Sequence, residues 1–196
     1  MSVLGLTGCP GAGKTVVAEI FRELGAKMES GDAIGREVVE SNMEVRHALA
    51  SEFGQKIFDE KGILNRRMLG KMVFSSKENL AKLNKIVHPS LLVELRKRID
   101  NHIESNPGQV LIVDAALIFE WGISEWFDSV ITVYADYWLR LKRLNSNGLT
   151  ENEAADRTDS QIDQDEKIKK SKYTIENNGF IKDLKPKVEK LYKILI

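Results

Sequence analysis

GCPGAGKT, residues 8–15, is the stretch on which the reading of this chain turns. It matches G-x-x-x-x-G-K-[ST], the pattern of a loop whose backbone amides cradle phosphate oxygens. Upstream, Val3, Leu4, Leu6 and Thr7 predict a short buried β-strand. Downstream, Val16, Val17, Ile20, Phe21 and Leu24 recur at helical spacing until Gly25 stops the helix. Strand, glycine turn and helix in that order are the context a P-loop requires. Gly8, Gly11 and Gly13 allow the tight turn and close backbone approach, and the helix N-terminus adds partial positive charge. The segment Gly8, Cys9, Pro10, Gly11, Ala12, Gly13, Lys14, Thr15, Val16 is therefore the expected nucleotide site. Lys14 should reach the β- and γ-phosphates, and the Thr15 hydroxyl should ligate Mg²⁺. The bland alternative, a glycine-rich turn that binds nothing, leaves the strand and helix on either side unexplained.

Composition limits what the rest can be. The 196 residues are 42% hydrophobic, enough for one globular domain with a real core. Lys plus Arg equals Asp plus Glu at 29 each, so no net field points to nucleic acid or an anionic membrane. One cysteine excludes a disulfide framework and a cysteine metal cage. No basic leader with an apolar h-region opens the chain, and no apolar run approaches the ~20 residues of a membrane span. The expectation is a cytoplasmic protein acting on a small molecule, with no nucleic-acid or membrane partner.

Along the chain, a short strand at Lys27 to Glu29 leads into Ser30-Gly31-Asp32. Ligands of open α/β sheets collect at the carboxyl ends of the strands, which gives Asp32 a chemical position. An acid before Ala33 and Ile34 also suits a helix N-cap, and position alone leaves the two roles open. Asp32-Ala33-Ile34-Gly35 formally matches the D-x-x-G of a GTPase. It follows the P-loop too closely for a switch segment, and Asn84-Lys85-Ile86-Val87 lacks the acid of N-K-x-D. Residues 40–105 show no convincing strand. Helical patterns at Glu44 to Phe53, Arg66 to Phe74, Leu80 to Val87 and Leu91 to Ile103 predict an inserted helical subdomain, with Gly54, Gly62 and Pro89 as breaks. Arg66, Asn84 and His88 are its polar residues of interest, although a histidine before proline is more often a packing residue.

Val110 to Val113 is a continuous apolar run ending in Asp114, the form of a buried parallel strand with a Walker-B-like acid. Glu120 follows on the expected active-site rim. Val130 to Tyr134 is a further strand. A helix from about Tyr137 carries Arg140, Lys142 and Arg143; a break at Gly148 follows, then a second helix, Thr150 to Asp165, opening on the capping box Thr150-x-x-Glu153. Two basic helices joined by a glycine suggest a mobile lid over residues 137–169. A strand at Tyr173 to Glu176, the turn Asn177-Asn178-Gly179 and an amphipathic helix with Leu184, Val188, Leu191 and Leu195 complete an α/β fold.

The motif order resembles that of the dephospho-CoA kinases. The residues that carry it are GLTGCPGAGKT, GDAIGREVV, Phe53-Gly54, KGILNRRML, Val73-Phe74, LNKIVHP, LIFEWG, Arg157-x-x-x-Gln161 and TIENNG, in order over nearly the whole chain. The resemblance implies a three-layer P-loop kinase fold with a five-stranded parallel sheet, a core of 1–39, 106–136 and 170–196, an acceptor-binding subdomain at 40–105 and a lid at 137–169. It implies ATP- and Mg²⁺-dependent phosphorylation of the ribose 3′-hydroxyl of dephospho-CoA by a monomer or weak homo-oligomer. By motif position, Asp32 takes the base role with Lys14, Arg140 and Arg143 as catalytic partners. Arg36, Arg66, Asn84, His88, Glu120 and Gln161 fall on the acceptor side, and Asn177 on the adenine side. Three positions depart from the family pattern. Ser30 stands where many members carry an acid, Ala116 replaces a proline, and Ser146 replaces a lid arginine, leaving Arg140, Lys142, Arg143 or Arg157 to supply the missing charge. The alternatives are another P-loop kinase of nucleosides or nucleotides, with the same core and a different subdomain, and a nucleotide-dependent switch whose output is a partner interaction.

Overall fold

A computed structural model describes residues 2–74 and 76–196. Five strands, β1 (Val3–Thr7), β2 (Lys27–Ser30), β3 (Leu111–Asp114), β4 (Ser129–Tyr134) and β5 (Tyr173–Glu176), form one sheet in the order β2-β3-β1-β4-β5. All four pairings are parallel, with Val3 opposite Leu111 and Leu4 opposite Ser129. The expected five-stranded parallel sheet is present. β1 is central and every one of its residues is buried, as a strand with neighbours on both sides and layers on both faces must be.

The chain divides into two compact units. The first, residues 2–31 and 98–196, holds the sheet, α1 (Lys14–Glu23) and the C-terminal helices α6 (Tyr137–Ser146), α7 (Glu151–Asp159), α8 (Gln164–Lys170) and α9 (Ile181–Leu195). Its core joins Leu4, Leu6, Phe21, Ile112, Val133 and Val188. Burying a side chain such as Phe21, which is fully covered, contributes about 1.5–3 kcal/mol.

The second unit, Asp32–Lys97, is helical: most of α2 (Gly31–Ser41), then α3 (Met43–Phe53), α4 (Arg66–Phe74) and the larger part of α5 (Lys77–Ser105). Asn42 caps α3 by accepting from the amides of Glu44 and Val45. Val45, Leu49 and Phe53 of α3, Leu69 and Val73 of α4, and Leu91 and Leu95 of α5 supply its buried surface.

Two helix boundaries differ from the sequence expectation. The patterns on either side of Pro89 are one helix of 29 residues. Proline removes one amide and leaves the carbonyl of Lys85 without its partner. Both residues lie on the exposed side, where water can serve that carbonyl, while the stripe Val87, Leu91, Leu95, Ile99 runs on buried beneath them. Conversely, the helix expected from Thr150 to Asp165 is two. The capping box of Thr150 and Glu153 forms as expected, but α7 stops at Asp159 and Asp163 caps α8 by accepting from the amide of Asp165. Of the acids Asp159, Asp163, Asp165 and Glu166 around this break, Asp163 is thus a helix cap.

Candidate active site

The P-loop turns from β1 into α1 with Ala12 N–H donating to Cys9 O at 3.1 Å and Val16 N–H to Gly13 O at 3.1 Å. Gly13 sits at φ 90°, ψ 26°, in the left-handed region, and no side chain caps α1 there. The first turn also lacks an acid. The helix N-terminus therefore presents amides and its positive dipole end without any anion of its own. A Cβ at Gly13 would collide with the Asn177 carboxamide, and one at Gly11 with the backbone carbonyl of Arg140. The glycines are required by what packs behind the loop as well as by what it binds. Lys14 Nζ donates to Asp114 at the end of β3, and both side chains are mostly covered. Thr15, in the first turn of α1, is exposed.

The two arginines of α6, indistinguishable in sequence, have different surroundings. Arg143 donates through Nη1 to the carbonyls of Gly11 at 3.3 Å and Ala12 at 3.4 Å, and through Nη2 to Asn177 O at 2.8 Å. Asn177, buried, adds its own Nδ2 to Ala12 O at 2.8 Å, while its backbone N–H continues from β5 onto Tyr134 O. Partial desolvation lowers the pKa of the Arg143 guanidinium. Arg143 and Asn177 brace the loop from behind. Arg140 is only 5% exposed, and its Nε and Nη1 have no hydrogen-bond partner among the described residues. Its guanidinium lies 5.5 Å from the centre of the Tyr137 ring. A buried guanidinium with open donors is costly unless an acceptor meets it, and its planar fork suits a phosphate. Lys142 and Arg157 are exposed, and the Ser146 hydroxyl donates to Lys142 O at 2.9 Å within α6.

Glu120 and Gln161 come together on a residue that sequence reasoning passed over. Lys167 is fully buried, and its ammonium donates to Glu120 Oε1 at 2.9 Å, Gln161 Oε1 at 3.0 Å and Ala116 O at 2.6 Å. Nothing in the run Lys167-Ile168-Lys169-Lys170 marks one lysine as internal. Cys9 is also covered, its Sγ 3.9 Å from Ile162 O. Burial raises the thiol pKa against the opposing pull of Lys167 and Arg140, the reverse of the thiolate-favouring setting that an exposed sulfur in this loop would have. Cys9 in the parent protein is accordingly expected to resist iodoacetamide at neutral pH equally with and without Mg-ATP. Counting alkylated Cys9 by mass spectrometry checks this, and protection by nucleotide alone would contradict it.

In the helical unit, Asp32 lies one residue inside α2, so it is a first-turn acid rather than the residue preceding the helix. Its side chain and that of Arg36, one turn later, are exposed. Arg66 begins α4 and pairs with Glu40 at 2.7 Å, an exposed ion pair worth little by itself. Asn84 and His88 are half-buried and one turn apart on α5, and burial holds the His88 imidazole below its ordinary pKa. Among the described residues no three His, Cys, Asp or Glu side chains form a metal-binding group, and no helix is long and apolar enough to cross a membrane.

Comparison with known proteins agrees along the whole chain. The family model described as dephospho-CoA kinase matches residues 2–183. A dephospho-CoA kinase of Syntrophotalea carbinolica is 37% identical over 197 residues, covering 100% of this chain and 93% of the relative. Among solved structures, TT1252 from Thermus thermophilus superposes with a TM-score of 0.79 at 27% identity, covering 100% of this chain and 98% of that one. The dephospho-CoA kinase of Campylobacter jejuni gives 0.71 at 28% identity, with 97% and 95% covered.

Proposed function

The chain belongs to the dephospho-CoA kinase family, and on that premise we propose how its residues divide the work of phosphorylating the ribose 3′-hydroxyl of dephospho-CoA with ATP. The observation that carries the assignment of the phosphate site is the pair of open donors on buried Arg140, whose backbone packs against Gly11 of the P-loop. Amides of the P-loop, among them those of Gly13 to Thr15, and the Lys14 ammonium hold the phosphates, with Lys14 exchanging Asp114 for a phosphate oxygen. With Mg²⁺ bound, the exposed Thr15 hydroxyl would hold the ion and Asp114 would support it through water, and the ion would neutralise charge on the phosphates. Arg140 meets the charge that develops on the transferred group, while Arg143 and Asn177 keep the loop in shape.

Asp32 orients the acceptor hydroxyl and takes its proton. The 3′-oxygen then forms a bond to the γ-phosphorus, the bond to the β,γ-bridging oxygen breaks, and ADP leaves. Because the transition state is loose, positioning and charge do most of the catalysis. Motif position supports acceptor-side roles for Arg36, Arg66, Asn84 and His88, in a helical unit that binds the acceptor. Residues 137–169 act as the lid. The even balance of acid and base argues against a nucleic-acid partner and the single cysteine suits a reducing cytosol, with a monomer or weak homo-oligomer as part of the same proposal.

The test is ADP release in the presence of dephospho-CoA, adenosine, AMP or common nucleosides. ADP release is expected to depend on dephospho-CoA. Equal release without any acceptor, or preference for a nucleoside, would overturn the assignment.

A further inference from the structure

We propose that Lys167 is a positioning residue, which fixes the segment between α7 and α8 against the root of the P-loop through Glu120 and Gln161. Each of its three protons has an acceptor, and two of the acceptors are tied elsewhere. Ala116 O also accepts from the hydroxyl of Thr7, the last residue of β1, at 2.9 Å. Glu120 Oε1 also accepts from Ile162 N–H at 3.1 Å, and Ile162 O in turn faces the Cys9 sulfur in the P-loop. The backbone end of the residue is held as well, since Lys167 O accepts from Thr132 Oγ1 at 3.3 Å and that hydroxyl lies 2.6 Å from Ser171 Oγ. One side chain thus joins the end of β1, the loop after β3, the turn Ser160 to Asp163 and α8.

Ordinary stabilisation is a poor account of this arrangement. A buried ion pair rarely outperforms well-packed apolar residues, because both charges lose their hydration. What it does provide is one permitted geometry, since any displacement leaves a charge buried and unpaired. The geometry it fixes here is that of the chain returning from the lid, beside the loop that holds the phosphates. Glu120 and Gln161 then serve the site through Lys167 rather than by touching substrate.

The test uses Lys167→Met, which keeps the stem and removes the charge, and reads two quantities well below the melting temperature. Cys9, inert in the parent, is expected to be alkylated at least ~10-fold faster, because the segment covering it opens locally. A rise no larger than the fall in global stability accounts for, or a parent-like rate, would overturn the proposal. The kinetic half rests on the kinase assignment: KM for ATP is expected to rise at least ~10-fold from misplacement of the site, with KM for dephospho-CoA within about twofold. Two parent-like KM values with only a lower melting point would mark the cluster as merely structural. If the methionine variant does not fold, Glu120→Ala removes one acceptor and the hold on Ile162, and should move both quantities in the same directions; parent-like values there overturn the proposal equally. Faster labelling in a protein with no activity on dephospho-CoA would refute the function and leave the positioning role standing.

Discussion

Asp32→Asn is expected to fold and bind ATP normally while losing ~10² to 10⁴ in turnover, the usual worth of a general base. The side chain is exposed, so the exchange leaves no buried group unpaired. Its place in the first turn of α2 gives the carboxylate a favourable interaction with the helix dipole, and losing it costs about 0.3–1 kcal/mol, a small change in melting temperature. A stability effect and a catalytic effect are therefore well separated in size. Asparagine can hold the acceptor hydroxyl but cannot take its proton. The loose transition state of phosphoryl transfer needs little early deprotonation, which places the expected loss toward the lower part of the range. Acceptor-dependent ADP release at saturating ATP, with thermal melts alongside, decides the matter. An asparagine variant as active as the parent would remove Asp32 from the mechanism.

Arg140→Ala is the second large effect. Removing one preorganised donor from a developing charge costs ~10² to 10³ in kcat, about 2.7–4 kcal/mol of barrier. The buried Nε and Nη1 have no partner to lose in the protein alone, so any fall in stability is that of the buried stem and its contact with Tyr137. Arg143→Ala should behave differently. It releases the carbonyls of Gly11, Ala12 and Asn177, so the melting temperature falls and ATP binding weakens along with turnover. Parallel melts and single-turnover rates for the two variants separate the roles. Identical profiles for the two would show that the burial of Arg140 and the bracing by Arg143 do not set their functions.

Most of what depends on neighbours in sequence was legible from the residues alone, the break between Asp159 and Gln164 excepted. The P-loop, the strand before it and the helix after it are local, and so are the capping box at Thr150 and the buried run ending in Asp114. Pro89 misled because its local cost is real but is offset by a stripe that continues beneath it over both halves of α5. The difference between Arg140 and Arg143 could not be read, since they lie one turn apart on α6 and only the loop, Asn177 and Tyr137 distinguish them. Lys167 was hidden for the same reason: a lysine in a basic run reads as solvated until the partners for its three protons arrive from the loop after β3 and the turn after α7.

The central place of β1 has a consequence for how the chain is made. Val3 and Leu4 find their β3 partners at Leu111 and Ile112, and Leu4 finds its β4 partner at Ser129. At a synthesis rate of roughly 5–20 residues per second, the strand that carries the phosphate loop waits on the order of 5–20 s on the ribosome, apolar and unpaired. Its bracing comes later still, with Arg143 and Asn177, and the Ser2 hydroxyl donates to the carbonyl of Leu195, the last residue of α9. The phosphate loop is thus made before the strands and side chains that hold it, and it can become rigid only after they have followed.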